Sequence, residues 1–291
     1  MKFILFLFIA PVVTSDSVRF YLTNPNVNSL LYNAKNQSPW LAAFDSDCTT
    51  VFLVHGWMGI IYPLLNEPLQ STVDAYQQVP TSSGCYNVVL VIWSAANTPD
   101  YLSAAKAVVP TGNTIGDFIS NLYQESVLTG RVDCTGHSLG AHACGNAGRR
   151  LNTLALTPFE VITGLDAAGP AFTSILIPLN MSSKKLSKGN ARIVVTLMTN
   201  AGLAGTAVQL GDVNFKANGG SCQPGCAPLN LVCSHMRAVA LYEEAVLHDW
   251  FVGESACGET AVFGRSMSLN VVPGSYGFTT GSNPPYGQCN Q

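Results

Sequence analysis

Apolar residues in this chain follow two rhythms. Four segments carry them almost without a break: residues 49–57 (TTVFLVHGW), 86–94 (YNVVLVIWS), 159–170 (FEVITGLDAAGP) and 191–200 (ARIVVTLMTN). Continuous rather than alternating apolarity predicts strands covered on both faces, as in a parallel sheet. Elsewhere the spacing is helical. Ile115, Phe118, Ile119 and Leu122 mark a helix over 114–126, and Val239, Tyr242 and Val246 mark another over 236–247. Residues 130–134 (GRVDC) read as a short strand that runs into a helix-compatible stretch at 141–151 (AHACGNAGRRL). The alternation predicts an α/β domain with a mostly parallel central sheet and helices on both faces. Beyond about residue 255 Gly, Ser and Pro are frequent, and the pattern predicts no definite element.

Composition narrows the classes. Hydrophobic residues make up 47% of the 291 and charged residues 11%, which excludes a disordered chain. With a formal net charge of −3 and only 14 Lys plus Arg, there is no basic face for nucleic acid. At the N-terminus, Lys2 and the apolar run 3–13 read as a signal peptide of residues 1–15, cleaved before Asp16 and too short to span a bilayer. No other apolar stretch reaches the roughly 18 residues of a membrane helix, so the mature chain is expected to be secreted. Nine cysteines suit an oxidising compartment, and the odd count leaves at least one outside any internal pair. Cys134 and Cys144 stand at core-like positions and read as free, buried thiols. No His/Cys spacing suggests a metal site. Asn36 and Asn180 begin N-x-Ser glycosylation sequons.

The candidate chemistry centres on Gly136-His137-Ser138-Leu139-Gly140, between the short strand and the helix. Gly-x-Ser-x-Gly is the pattern of a nucleophile elbow, a tight turn that lifts a serine hydroxyl above the sheet. The following main-chain N–H, that of Leu139, then points where an oxyanion forms. A serine nucleophile needs a base and an orienting acid, and with this elbow they follow in the order Ser, acid, His. Beyond His142, two histidines follow Ser138. His235 precedes a helix starting near Met236, a junction that can point an imidazole across the sheet top; His248 ends that helix and suits a cap. The acids between are Glu160, at the wrong end of a strand, Asp166, just after VITGL, and Asp212 in reserve. Sites in open α/β sheets lie beyond the carboxyl ends of strands, which favours Asp166. A second oxyanion donor is expected from the main chain of Trp57, where VHGW ends a strand, with His55 bracing that loop.

Four motifs now stand in order: FLVHGW, GHSLGAH, GLDAAGPAF and CSHMRA. Together they resemble the pancreatic lipase family and, within it, the insect phospholipase A1-like branch. The resemblance implies an α/β-hydrolase fold, Ser138, Asp166 and His235 as triad, Trp57 and Leu139 as oxyanion donors, and no cofactor or metal. It implies a lid loop closed by a Cys226–Cys233 disulfide, and residues 16–291 as one lipase domain without a C-terminal β-sandwich. A loop of six residues (APLNLV) is short for the family, as is the neighbouring loop 200–211; short loops are similar to those of its phospholipase A1 members. The implied partner is a lipid at a membrane, micelle or droplet surface, acted on by a monomer. A triacylglycerol or galactolipid lipase, a small-molecule esterase and a non-catalytic lipid-binding, yolk-type homologue are the alternatives. Cys48 and Cys85 would tie two strand regions, and Cys257 would pair with Cys289 or Cys222. Ile92-Trp93 and Met198-Thr199 depart from the Asp-Trp and His-Thr that the family often carries there.

Overall fold

The computed structural model describes residues 18–57, 69–173, 179–227 and 230–287; the expected signal peptide lies outside them. The strands, in chain order, are β1 (Val18–Asn24), β2 (Val27–Leu31), β3 (Thr49–Val54), β4 (Tyr86–Trp93), β5 (Val132–His137), β6 (Val161–Leu165), β7 (Ile193–Met198), β8 (Val213–Ala217), β9 (Val252–Glu254), β10 (Thr260–Val262) and β11 (Gly274–Phe278). The helices are α1 (Ser38–Ala43), α2 (Gln70–Gln77), α3 (Tyr101–Gln124), α4 (Leu139–Thr153) and α5 (Leu231–Leu247).

The described strands form one sheet in the order β10-β9-β11-β8-β7-β6-β5-β3-β4-β1-β2. Strands β4, β3, β5, β6, β7 and β8 run parallel, and so does β11 beside β8. Antiparallel pairs close both edges. Successive residues of β3 explain the unbroken apolar runs. Phe52 and Val54 pack into the core under α3 and α4, whereas Val51 and Leu53 pack into the core under α2 and α5. Both faces of the strand are therefore dry over its last four residues, 51–54.

Chain order reverses between β3 and β5. The chain runs outward from β3 to β4, returns to β5 beside β3, and winds the other way through β6, β7 and β8. Such a switch point leaves a crevice beyond the carboxyl ends of the flanking strands. His55 follows β3 there, and Ser138 follows β5.

Several elements differ from the pattern-based expectation. Helix α3 extends over 24 residues and starts at an Asp100 cap whose carboxylate accepts from Leu102 N at 3.0 Å. It continues through Pro110 because its flanks are already packed, with Ala104, Ala105, Val108 and Ile115 buried. Helix α5 begins at Leu231 rather than near Met236, because Asn230 caps it by accepting from Cys233 N. Past residue 255 the Gly-rich chain forms two short strands, β10 at the sheet edge and β11 between β9 and β8, that tertiary pairing sustains.

Cysteine pairing is corrected as well. Cys134 and Cys144 are not free thiols but a disulfide, with Cα atoms 5.9 Å apart. The tight turn from β5 into α4 lays one flank of the elbow on the other, which a sequence separation of ten does not reveal. Cys48–Cys85 and Cys226–Cys233 are bonded as expected. Cys222 and Cys257 are free and exposed, so they do not pair with each other, and Cys289 lies outside the described residues.

Candidate active site

Ser138 joins β5 to α4 with φ 55° and ψ −119°, a conformation that L residues rarely adopt. Such a backbone costs about 1–3 kcal/mol and persists only where its surroundings fix it. Two main-chain bonds do so: Ser138 N donates to Leu165 O at 3.0 Å, and Ser138 O accepts from Ala168 N at 3.2 Å. The flanking glycines answer a packing need. A Cβ at Gly136 would overlap the backbone of Gly140, and one at Gly140 would overlap the carbonyl of Val54 on β3. The turn can therefore lie against the neighbouring strand only without side chains at these two positions.

Asp166 follows β6 directly, is 1% exposed, and also has positive φ, at 41°. One carboxylate oxygen accepts from the main-chain N–H groups of Thr199 (2.8 Å) and Asn200 (2.9 Å). The other receives His235 Nδ1 at 2.5 Å. Both oxygens are thus engaged, and the anion faces an imidazole and two fixed dipoles. His235 lies in the second turn of α5, inside the helix rather than before it. Its ring is centred 4.5 Å from that of His137, the neighbour of Ser138, and its carbonyl is 3.3 Å from His137 Nε2. Asp166 and His235 are thus paired, and His235 lies beside His137, the residue before Ser138. Ser138 Oγ makes no hydrogen bond to another described residue.

Of the alternatives, Asp212 accepts from Val194 N before β8, and Glu160 pairs with Arg192 before β6. Both lie at the opposite end of the sheet. His248 caps the end of α5 and stacks on Trp250 at 3.8 Å.

Of the residues expected to supply oxyanion donors, Leu139 follows Ser138 in the chain, and Trp57 follows Gly56, which lies against Ser138. The main-chain N–H of Leu139 opens α4, where no earlier turn offers it a carbonyl. At Trp57 the preceding carbonyl, that of Gly56, lies 2.8 Å from His55 Nδ1, and His55 Nε2 accepts from Trp93 N at 3.2 Å. His55 is therefore protonated on Nδ1. A trans peptide directs its C=O and N–H oppositely, so fixing the Gly56 carbonyl also fixes the Trp57 N–H. Neither N–H donates to another described residue.

Sequence reasoning missed several neighbours. Thr199 and Asn200 act through their main chains and leave no residue-type signal. Gly205 was equally silent, yet a Cβ there would overlap the Asp166 carboxylate. Gly205→Ala is expected to displace that carboxylate and lower kcat about 10²-fold with KM little changed; steady-state kinetics on a short-chain ester checks it. His142, within GHSLGAH, could have been flagged from its motif. It donates from Nε2 to Ala168 O (2.9 Å) and accepts from Leu186 N (3.0 Å), pinning the loop after Asp166 to α4.

Burial holds three of these imidazoles neutral. Desolvation lowers His55 and His142 from 6.5 to about 4, and His137 well below 6.5, where His235 adds to the effect. Unfolding frees all three to take up protons below about pH 6.5. Their contribution to stability is complete above that pH and falls as pH drops toward 4, by about 1.4 kcal/mol per unit for each proton gained. Urea midpoints at pH 7, 6 and 5 should therefore decline steadily; a flat series would contradict this.

Comparison with known proteins agrees with this architecture. The sequence model of the Lipase family matches residues 12–275. "Phospholipase A1 1" of Dolichovespula maculata is 34% identical over 207 residues, covering 67% of this chain and 61% of that protein. "Phospholipase A1" of Vespa basalis is 36% identical over 181 residues, 58% of each chain. "Phospholipase A1 member A" of Homo sapiens is 29% identical over 242 residues, 80% of this chain and 49% of that one. The chain thus spans about half to three-fifths of the length of these relatives. Matched from residue 12 to residue 275 and folded as an α/β-hydrolase sheet, the chain belongs to the lipase family.

Proposed function

We propose that this chain is a secreted carboxylic-ester hydrolase that acts on lipids, as a phospholipase A1 cleaving the sn-1 ester. The observation that carries the reading is the Asp166–His235 pair at 2.5 Å, set beside a serine in a strained elbow. His235, oriented through Nδ1 by Asp166, takes the Ser138 proton on Nε2. The alkoxide attacks the ester carbonyl, and the oxyanion rests on the N–H groups of Trp57 and Leu139. His235 then protonates the departing lysolipid alcohol, and water, activated by the same imidazole, releases the fatty acid. Catalytic contacts of this kind commonly tighten only when substrate is bound. All the groups required belong to the protein, so the reading calls for no cofactor.

The phospholipid preference is supported by the names of the wasp and mammalian relatives and by the brevity of the loop between Cys226 and Cys233. We read that loop as the lid, residues 16–291 as a single lipase domain, and the protein as a monomer working at a lipid surface. Disulfides at 48–85, 134–144 and 226–233 suit secretion, and no helix among the described residues is long and apolar enough to cross a membrane. Phosphatidylcholine and triolein offered side by side test the substrate class. The expected products are 2-acyl lysophosphatidylcholine and free fatty acid; release from triolein alone would overturn the phospholipid assignment.

A further inference from the structure

A guanidinium without a counter-ion sits beside one disulfide. Arg237 is only 6% exposed, and no carboxylate lies within 4.0 Å of it among the described residues. Its Nη2 approaches Cys226 Sγ at 3.7 Å, while its Nη1 is buried with no partner. The group cannot shed its charge, so burying it unpaired is costly. Its orientation is fixed by the ring of Tyr286, 4.0 Å below Cζ, and that residue is held in turn by Glu244, which accepts from Tyr286 N at 2.7 Å and Gly287 N at 2.9 Å. Arg237 is also four residues beyond Cys233 on α5, so the two side chains share a helix face.

We propose that Cys226–Cys233 is a thiol-exchange site for low-molecular-mass thiols, with Cys226 as the departing sulfur. The reagent loses its proton to solvent and attacks Cys233 Sγ. A sulfur–sulfur bond forms between reagent and Cys233, the Cys226–Cys233 bond breaks, and its electron pair leaves on Cys226 as a thiolate. That anion arises 3.7 Å from the unpaired guanidinium and supplies the charge Arg237 lacks. A neighbouring cation lowers a thiol's pKa, and a less basic leaving thiolate departs faster. The start of α5 offers Cys233 only a partial charge, and its N–H is already donated to Asn230 at 3.0 Å, so the full charge of Arg237 decides which sulfur leaves.

The other two bridges lack this arrangement. Cys134 and Cys144 are both 0% exposed. Cys85 is half-buried like Cys226 and Cys233, but attack on it would expel Cys48, which is 2% exposed and has the Asp45 carboxylate rather than a cation within 4.8 Å. Opening the bond would release the residues that lead into the turn of α5 bearing His235. The inference is independent of the ester-hydrolysis reading.

The test uses the full native chain with its free thiols blocked by N-ethylmaleimide. It is incubated with glutathione, quenched with a second alkylating reagent and mapped by peptide mass. Cys226–Cys233 is expected to open at least about tenfold faster than the other two bridges, with glutathione on Cys233 and the second label on Cys226. Arg237→Met should slow that opening about tenfold. Glutathione found on Cys226, or a folded Arg237→Met protein that opens at the wild-type rate, would overturn the proposal. If the variant does not fold, the position of the adduct in the wild-type chain decides.

Discussion

Ser138→Ala is expected to lower ester hydrolysis by at least about 10⁴-fold while leaving the fold intact. The hydroxyl makes no hydrogen bond to another described residue, so its loss leaves no buried partner unsatisfied. The turn itself is held by main-chain bonds from Ser138 to Leu165 and Ala168, which alanine retains. Alanine also inherits the backbone at φ 55° and ψ −119°. Ser138→Gly, equally inactive, should then be the more stable of the two variants by about 1 kcal/mol, because glycine tolerates that conformation. Turnover and urea midpoints on the purified variants check both statements. Appreciable hydrolysis by either protein would remove the serine from the mechanism.

Asp166→Asn is expected to cost about 10⁴-fold in kcat with the site geometry preserved. The amide oxygen can still accept from Thr199 N and Asn200 N, as one carboxylate oxygen does now. The amide nitrogen would then face His235 Nδ1 in place of the oxygen at 2.5 Å. Two donors cannot share that contact, so the imidazole moves its proton to Nε2, the atom that must accept from Ser138. The defect lies in the tautomer rather than in binding. KM should accordingly change little, and a large rise in KM at near-normal kcat would argue against this role.

The proposed nucleophile and acid were legible because Ser138 and Asp166 sit at backbone turns that sequence records. Gly136 and Gly140 are written into the motif by the overlap a side chain would cause, and Asp166 stands where a buried strand ends. His235 was identified as a residue but misplaced, since apolar periodicity begins at Met236 while the helix begins five residues earlier, at the residue after its Asn230 cap. The N–H groups of Thr199 and Asn200 left no trace, because any residue type supplies them. The Cys134–Cys144 bond depends on how α4 returns over β5, which is a property of packing rather than of spacing. The short outer strands β9, β10 and β11 were invisible for a related reason: their runs of three to five residues exist through pairing with neighbours.

The central claim is that the hydroxyl at 138 becomes a nucleophile under the imidazole at 235. Exposure of the purified protein to a fluorophosphonate probe, followed by peptide mapping, tests it most directly. A single phosphonyl adduct on Ser138 is predicted, formed at least about 10²-fold more slowly in His235→Ala. An unmodified Ser138, or labelling that is indifferent to the loss of His235, would contradict the account.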